Sequence, residues 1–339
     1  MKKNLKILAI ETSCDETSVA VVEDGRNVLS NIISSQISTH RVFGGVVPEI
    51  ASRMHLESIN HIIKAALEEA GLTFSDIDVV ACTKGPGLIG ALLVGISSAK
   101  ALSLALDIPL VGVNHMEGHI CANYLVHKDL KPPFGGLVVS GGHTYLVNIK
   151  DYNDTEIIGR TKDDAAGECF DKIARALGLP YPGGPEIDKR AKLGDKHAIE
   201  FPRPLIDENS YDFSYSGLKT AVLNYLNQKN QKNEEIDIND VAASFQEAVL
   251  DVLVTKSVRM IKEFNMKKFI ISGGVAANSE LKEKLQKECD KLGVKLFYPT
   301  NIFCTDNAAM IGSAAYYNYI NGKVSELDLK VYPNLELNE

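Results

Sequence analysis

Two stretches of this chain run strand, polar turn, strand, turn, strand. In the first, KILAIE from Lys6 reads as a buried strand, CDET as a turn and SVAVVED as a second strand; Gly25 turns again, and NVLSNIISSQ is a third strand. In the second, LVVSGGHTYLVNI at 137–149 holds two strands, a turn follows near Asn153 and Asp154, and EIIGRT is the third. From Leu8 to Thr17 is nine residues and from Leu137 to Thr144 is seven, so the blocks read as one unit used twice, with a longer first turn. Strand–turn–strand also arises by chance, but a repeat constrains the whole fold.

Helical patterns fill the space between. From Pro48 to Ala70 the apolar residues Ile50, Met54, Ile59, Ile62, Ile63, Ala66 and Leu67 follow roughly 3.6 spacing, and Gly71 is a stop. DIDVVACTKGPG is a strand entering a glycine turn, and LIGALLVGISSAKALSLAL is a nearly all-apolar helix, expected to be buried. IPLVGVN is a strand. FDKIARALGL is helical, YPGGP is a loop, and a Lys-rich helix is expected from Glu186 to Lys196; residues 200–240 look polar and irregular. VAASFQEAVLDVLVTKSVRMIKEF is a long amphipathic helix, followed by the strand KKFIIS, a glycine turn, a helix from Ser279, the strand VKLFYP and a last helix in TDNAAMIGSAAYYNYI. Strands alternating with helices define an α/β class.

The chain has 339 residues, and its net charge of −8 argues against a broad basic footprint for nucleic acid, though a local basic groove or a basic partner stays open. No run approaches the ~20 apolar residues of a membrane span, so the expectation is a cytoplasmic protein without a membrane partner. The six cysteines form no C-x-x-C pair, which fits reduced, mostly buried thiols.

NHMEGH, from Asn114 to His119, sets two histidines four residues apart. On a helix both imidazoles share a face and can bind one metal; the alternative is two surface or core histidines. Glu117 lies about 200° round that helix from each histidine, so it faces away and cannot be the general base of an H-E-x-x-H protease. A two-histidine site needs a further ligand, most plausibly a carboxylate. Asp306 is equally well explained as the N-cap of the last helix. In CDET, Asp15 and Glu16 form either a solvated turn or a ligand-facing carboxylate pair. VVSGGHT and IISGGVAANSE each put Gly-Gly directly after an apolar strand, where backbone N–H groups can approach a phosphate. Asn278 or Ser279 can cap the helix after the second. Neither loop is a P-loop or a G-x-G-x-x-G turn. Asp171 and Asp188 flank YPGGP, where carboxylates can accept from ribose hydroxyls.

ETSCDETSVAVV, KGPGLIGALLVG, NHMEGH, VVSGGHT, DDAAGECFDKIARALGLPYPGGP, FSYSGLKTAV, ISGGVAANSEL and CTDNAAMIG together closely resemble the TsaD family of tRNA threonylcarbamoyladenosine synthesis, from about Ile7 to Ala315. Tyr215 stands where that family usually has Phe, and Lys282 where Arg is common. The resemblance implies an actin-like, sugar-kinase-like ATPase fold with two similar lobes around a nucleotide cleft: 1–130 with 307–339 as the first lobe, and 131–306 as the second, with a helical insertion near 185–240. It implies a divalent metal, Fe(2+) or Zn(2+), on His115, His119 and Asp306. It also implies that Val138, Val139, Ser140, Gly141, Gly142, Asp171, Gly184, Asp188 and Asn278 hold threonylcarbamoyl-AMP, with tRNA as acceptor at the adenosine beside the anticodon. Asp15 is the candidate acid–base residue. Bacterial members work with a TsaB-like paralogue and a TsaE-like ATPase. The alternatives are an actin-fold ATPase or phosphotransferase with no tRNA role, a metalloprotease, and a non-catalytic scaffold.

Overall fold

The computed structural model describes residues 4–337. The chain divides into two compact units. One comprises the residues up to Pro132, Asp151–Thr155 and those from Pro299 onward; the other comprises Pro133–Lys150 and Glu156–Tyr298. Asp306, placed in the second lobe by the sequence reading, thus clusters with the first unit.

The first unit contains β1 (Lys6–Glu11), β2 (Glu16–Glu23), β3 (Asn27–Ser35), α1 (Ile37–Arg41), α2 (Pro48–Ala70), β4 (Val79–Gly85), α3 (Ile89–Leu106), β5 (Leu110–Asn114) and α4 (His115–Val126). Its five strands take the order β3-β2-β1-β4-β5. β1 is antiparallel to β2 and parallel to β4, and Ile7, Leu8, Ala9 and Ile10 are all fully buried, as a strand covered on both faces requires. Leu8 and Ile10 pack with Ile59, Ile63, Ile96 and Ala99 of α2 and α3. The opposite face, with Ala9 and Val22, lies against the last helix so closely that a Cβ on Gly312 would meet Val22 at 2.7 Å.

The second unit contains β6 (Phe134–Val139), β7 (Thr144–Asp151), β8 (Asp154–Arg160), α5 (Ala166–Ala176), α6 (Gly183–Ala191), α7 (Ser216–Gln231), α8 (Ile238–Glu263), β9 (Lys268–Ser272), α9 (Ser279–Leu292) and β10 (Lys295–Phe297). Its strand order, β10-β9-β6-β7-β8, is that of the first sheet: the third, second and first strands, then two added parallel to the first. The repeat seen in the sequence is therefore a repeat of topology. α10 (Asn301–Cys304) and α11 (Ala308–Ile320) return to the first unit.

Several local expectations change. Residues 200–240 are not irregular throughout, because α7 occupies 16 of them. The helix expected from Glu186 to Lys196 instead begins at Gly183 and ends at Ala191. α3 is not buried all round: Ala91, Leu92, Gly95, Ile96 and Ala99 pack inward, while Ile89, Leu93 and Leu104 stay 56%, 49% and 70% exposed. Its length and composition would suffice to cross a membrane, and in this fold its inward face forms part of the first unit's core.

Candidate metal and nucleotide sites

β5 ends at Asn114, whose side chain accepts from the Met116 N–H and so starts α4 at His115. The helical spacing then brings His115 and His119 together, ring centroids 4.7 Å apart. Asp306 joins them, its Oδ1 3.2 Å from His115 Nε2 and 3.5 Å from His119 Nε2. Asp306 is not the cap of α11: that role belongs to Asn307, which accepts from the Met310 N–H, leaving the Asp306 carboxylate to the histidines. Glu117 points elsewhere and accepts from the Asn318 amide; burial raises its pKa against that bond.

Glu11, which the sequence reading passed over, backs the cluster. It is fully buried; its Oε2 lies 2.9 Å from His115 Nδ1 and accepts from the Thr83 hydroxyl at 2.5 Å. Its signal was available, as a carboxylate directly following the apolar run Ile7–Ile10. Burial alone would lower the His115 pKa, but the carboxylates of Glu11 and Asp306 outweigh it and hold it well above the usual value. Asp306 is driven well below the usual carboxylate range: burial opposes this, and His115 and then His119 overcome it. Burial lowers the His119 pKa, against the nearby Asp306 carboxylate, which raises it.

These residues fit a metal ion. Both ring nitrogens of His119 are buried with no hydrogen-bond partner, an arrangement that costs stability unless something else takes a lone pair. Two donors each bound at about 2.1 Å in tetrahedral geometry sit about 3.4 Å apart. The Asp306 to imidazole separations bracket that spacing, and the three donor atoms all lie within 4.8 Å of one another.

Asp15 is 5% exposed, so CDET is not a solvated turn. Beside it, burial and then the charge of Asp15 push the Glu16 carboxyl up to about 10.

In the second unit, β6 and β9 run parallel and both end in Gly-Gly loops. Gly273 has φ +88°, and a Cβ there would meet the Val139 carbonyl at 2.3 Å, so only glycine lets these strand ends approach. Val138 and Val139 are buried within β6, the strand that leads into the loop. The Ser140 N–H is spent on the His143 carbonyl. Gly141 and Gly142 are exposed, with nothing within 4 Å of a Cβ, so their backbone is open to an incoming group. Asp171 accepts from the Gly183 N–H at 2.7 Å and thereby caps α6, whose next residue, Gly184, is also open on its Cβ side. Asp188 accepts from Ser279 Oγ at 3.0 Å. Asn278 caps α9 by accepting from the Leu281 N–H.

A five-stranded unit used twice, with paired imidazoles on one copy and open glycine loops on the other, defines an actin-like ATPase fold with a candidate metal site and a candidate anion site. Solved structures share that fold. T. kodakarensis HypF aligns with TM-score 0.64 at 16% identity, over 97% of this chain and 49% of that one. The Acidaminococcus fermentans (R)-2-hydroxyglutaryl-CoA dehydratase component A aligns with TM-score 0.54 at 13% identity, over 93% and 99%. Residues 27–313 match the family described as TsaD, tRNA N6-adenosine threonylcarbamoyltransferase. Relatives of that name are 60% identical in Clostridioides difficile strain 630, over 98% of both chains, and 59% identical in Clostridium botulinum strain 657, over the full length of both. This chain belongs to the TsaD family and is an acyltransferase that modifies tRNA.

Proposed function

We propose that the chain transfers the threonylcarbamoyl group of threonylcarbamoyl-AMP to the exocyclic amine of the adenosine 3′ to the anticodon in tRNAs reading ANN codons. The amine nitrogen attacks the carbamoyl carbon, the bond from that carbon to the phosphate oxygen breaks, and AMP leaves with the electron pair. An aromatic amine is a weak nucleophile because its lone pair is delocalised, so the acyl carbon must be activated and held close. In this reading, the open N–H groups of Gly141 and Gly142 receive the charge that develops on the phosphate. Asp171 and Asp188 accept from the ribose, and Gly184 and Asn278 complete the adenylate site. Asp15 takes the proton released by the amine.

His115, His119 and Asp306 hold a divalent metal, which when bound supplies Lewis-acid polarisation of the acyl group. Family resemblance favours Fe(2+), with Zn(2+) the other candidate. Glu11 keeps the His115 ring turned so that Nε2 is the ligand nitrogen. The single observation that carries this reading is the buried His119 ring, without hydrogen-bond partners, beside His115 and Asp306.

The partners are tRNA and, in a bacterial setting, a TsaB-like paralogue and a TsaE-like ATPase. The exposed apolar side chains of α3 support a protein partner. A cytoplasmic location is supported by six free cysteines, five of them buried.

The test supplies labelled threonylcarbamoyl-adenylate and unmodified tRNA, with partner proteins, and looks for modified adenosine. His119→Ala is expected to lose bound metal, read by elemental analysis, together with transfer. Unchanged metal content in that variant would refute the ligand assignment.

A further inference from the structure

Gln246 lies in α8 and is 1% exposed, one of the buried polar side chains of a helix whose buried residues are mostly apolar. All of its amide is engaged. Oε1 accepts from Asn278 Nδ2 at 2.7 Å, and Nε2 donates to Glu280 Oε2 at 2.9 Å and, more weakly, to Asp188 Oδ1 at 3.4 Å. The orientation follows from chemistry: turned over, the amide would set its oxygen against two carboxylates and its NH2 against that of Asn278.

We infer that Gln246 is a positioning residue for the adenylate site, fixing Asp188 and Asn278 relative to each other. This deepens the proposed function and rests on its assignment of those two residues. Asn278 has one side-chain oxygen spent on the α9 cap and one N–H on Gln246, so its remaining N–H points in a set direction. Asp188 would otherwise be steered only by Ser279 and by the exposed Lys192 at 3.2 Å. A neutral donor stands between the carboxylates of Asp188 and Glu280 without adding a third negative charge. Replacing it should alter ligand geometry more than folding, because Ser279 still holds Asp188 and the Leu281 N–H still holds Asn278.

The experiment measures AMP binding by calorimetry from pH 5.5 to 8.5, with thermal melting of each variant alongside. Gln246→Ala should weaken AMP about tenfold at every pH, the loss of a hydrogen-bonded orientation. Gln246→Glu should weaken it about a hundredfold at pH 8, where a third carboxylate meets those of Asp188 and Glu280. The part-exposed Lys192 and Lys196 offset them only in part, and Glu247 adds to the negative charge nearby. As the pH falls and that carboxyl takes a proton, it becomes a donor again, and affinity should return to within about threefold of the parent chain. In transfer assays the loss should appear in KM for the adenylate rather than in kcat. A merely structural role predicts no pH-dependent rescue. If Gln246→Glu binds AMP like the parent at all pH values, or stays equally weak across the range, the proposal is overturned while the adenylate site stands. If the parent chain itself binds no AMP, the adenylate reading and this proposal fall together.

Discussion

Tyr215 is fully buried, and its hydroxyl has no hydrogen-bond partner. Its ring stacks on Phe213, 6.4 Å between centroids, so the apolar part of the side chain is well placed and only the oxygen is costly. Tyr215→Phe, the residue usual in the family, should therefore stabilise the chain by about 1 kcal/mol, since a buried unsatisfied polar group costs roughly 1–3 kcal/mol. An unchanged or lower denaturant midpoint would show that the oxygen is satisfied after all. Lys256 makes a different argument. Its side chain is fully buried, its Nζ donates to the Ser210 carbonyl at 2.6 Å, and burial lowers its pKa from 10.5 to about 8. Between those two values the unfolded chain binds a proton that the folded chain has released, so stability should rise with pH across this window. Below pH 8 both states are protonated and the slope vanishes. Urea unfolding at a series of pH values should show this rise in the parent chain and not in Lys256→Met; identical slopes in both would exclude the assignment.

The glycine loops must satisfy two demands on single elements, close packing and open backbone, and the two fall on different residues. Gly273 serves packing: with φ +88° and the Val139 carbonyl 2.3 Å from its Cβ position, Gly273→Ala should cost more than about 2 kcal/mol, or prevent folding. Gly141 has space for a methyl group, so Gly141→Ala should leave the melting temperature within about a degree and weaken AMP binding tenfold or more. Normal AMP affinity in Gly141→Ala would remove the loop from the site. Legibility in the sequence divided in a similar way. α2 was readable end to end, because its apolar stripe, Pro48 and the left-handed Gly71 are all local signals. α7 was not. Its buried stripe is only Leu218, Val222 and Leu226, and its start is fixed by Asp163, which accepts from the N–H groups of Tyr215 and Ser216 across some fifty residues of sequence. The candidate site follows the same rule. The two histidines share a helix, so spacing revealed them, whereas Asp306 and Glu11 reach them only through tertiary folding. Family resemblance, not spacing, supplied Asp306.

At the scale of the molecule, the two sheets share one strand order, yet the units are equipped differently: the first carries the imidazole cluster and the second the open loops. The first unit also shows an apolar face that its own core does not use. α3 turns Ala91, Leu92, Ile96 and Ala99 inward and leaves Leu93 and Leu104 outward, so the helix is apolar on both sides for separate reasons. Exposed leucines of this kind cost solubility and persist where a second surface covers them. A chain with net charge −8 is also poorly equipped to hold tRNA by general electrostatic attraction, a second task for the proposed protein partner. The double variant Leu93→Asp with Leu104→Asp should fold as the parent does, with stability changed by no more than about 0.5 kcal/mol, because neither side chain is buried in the monomer. On the proposed function, it should bind AMP and metal as the parent chain does, but lose association with the proposed TsaB-like partner and, with it, partner-dependent modification of tRNA. Size-exclusion chromatography of the mixture, read beside the transfer assay, separates the outcomes. Intact association would free this face from any role in assembly. Lost association with undiminished transfer would mean that the chain grips tRNA without help, and the charge argument for a partner would be withdrawn.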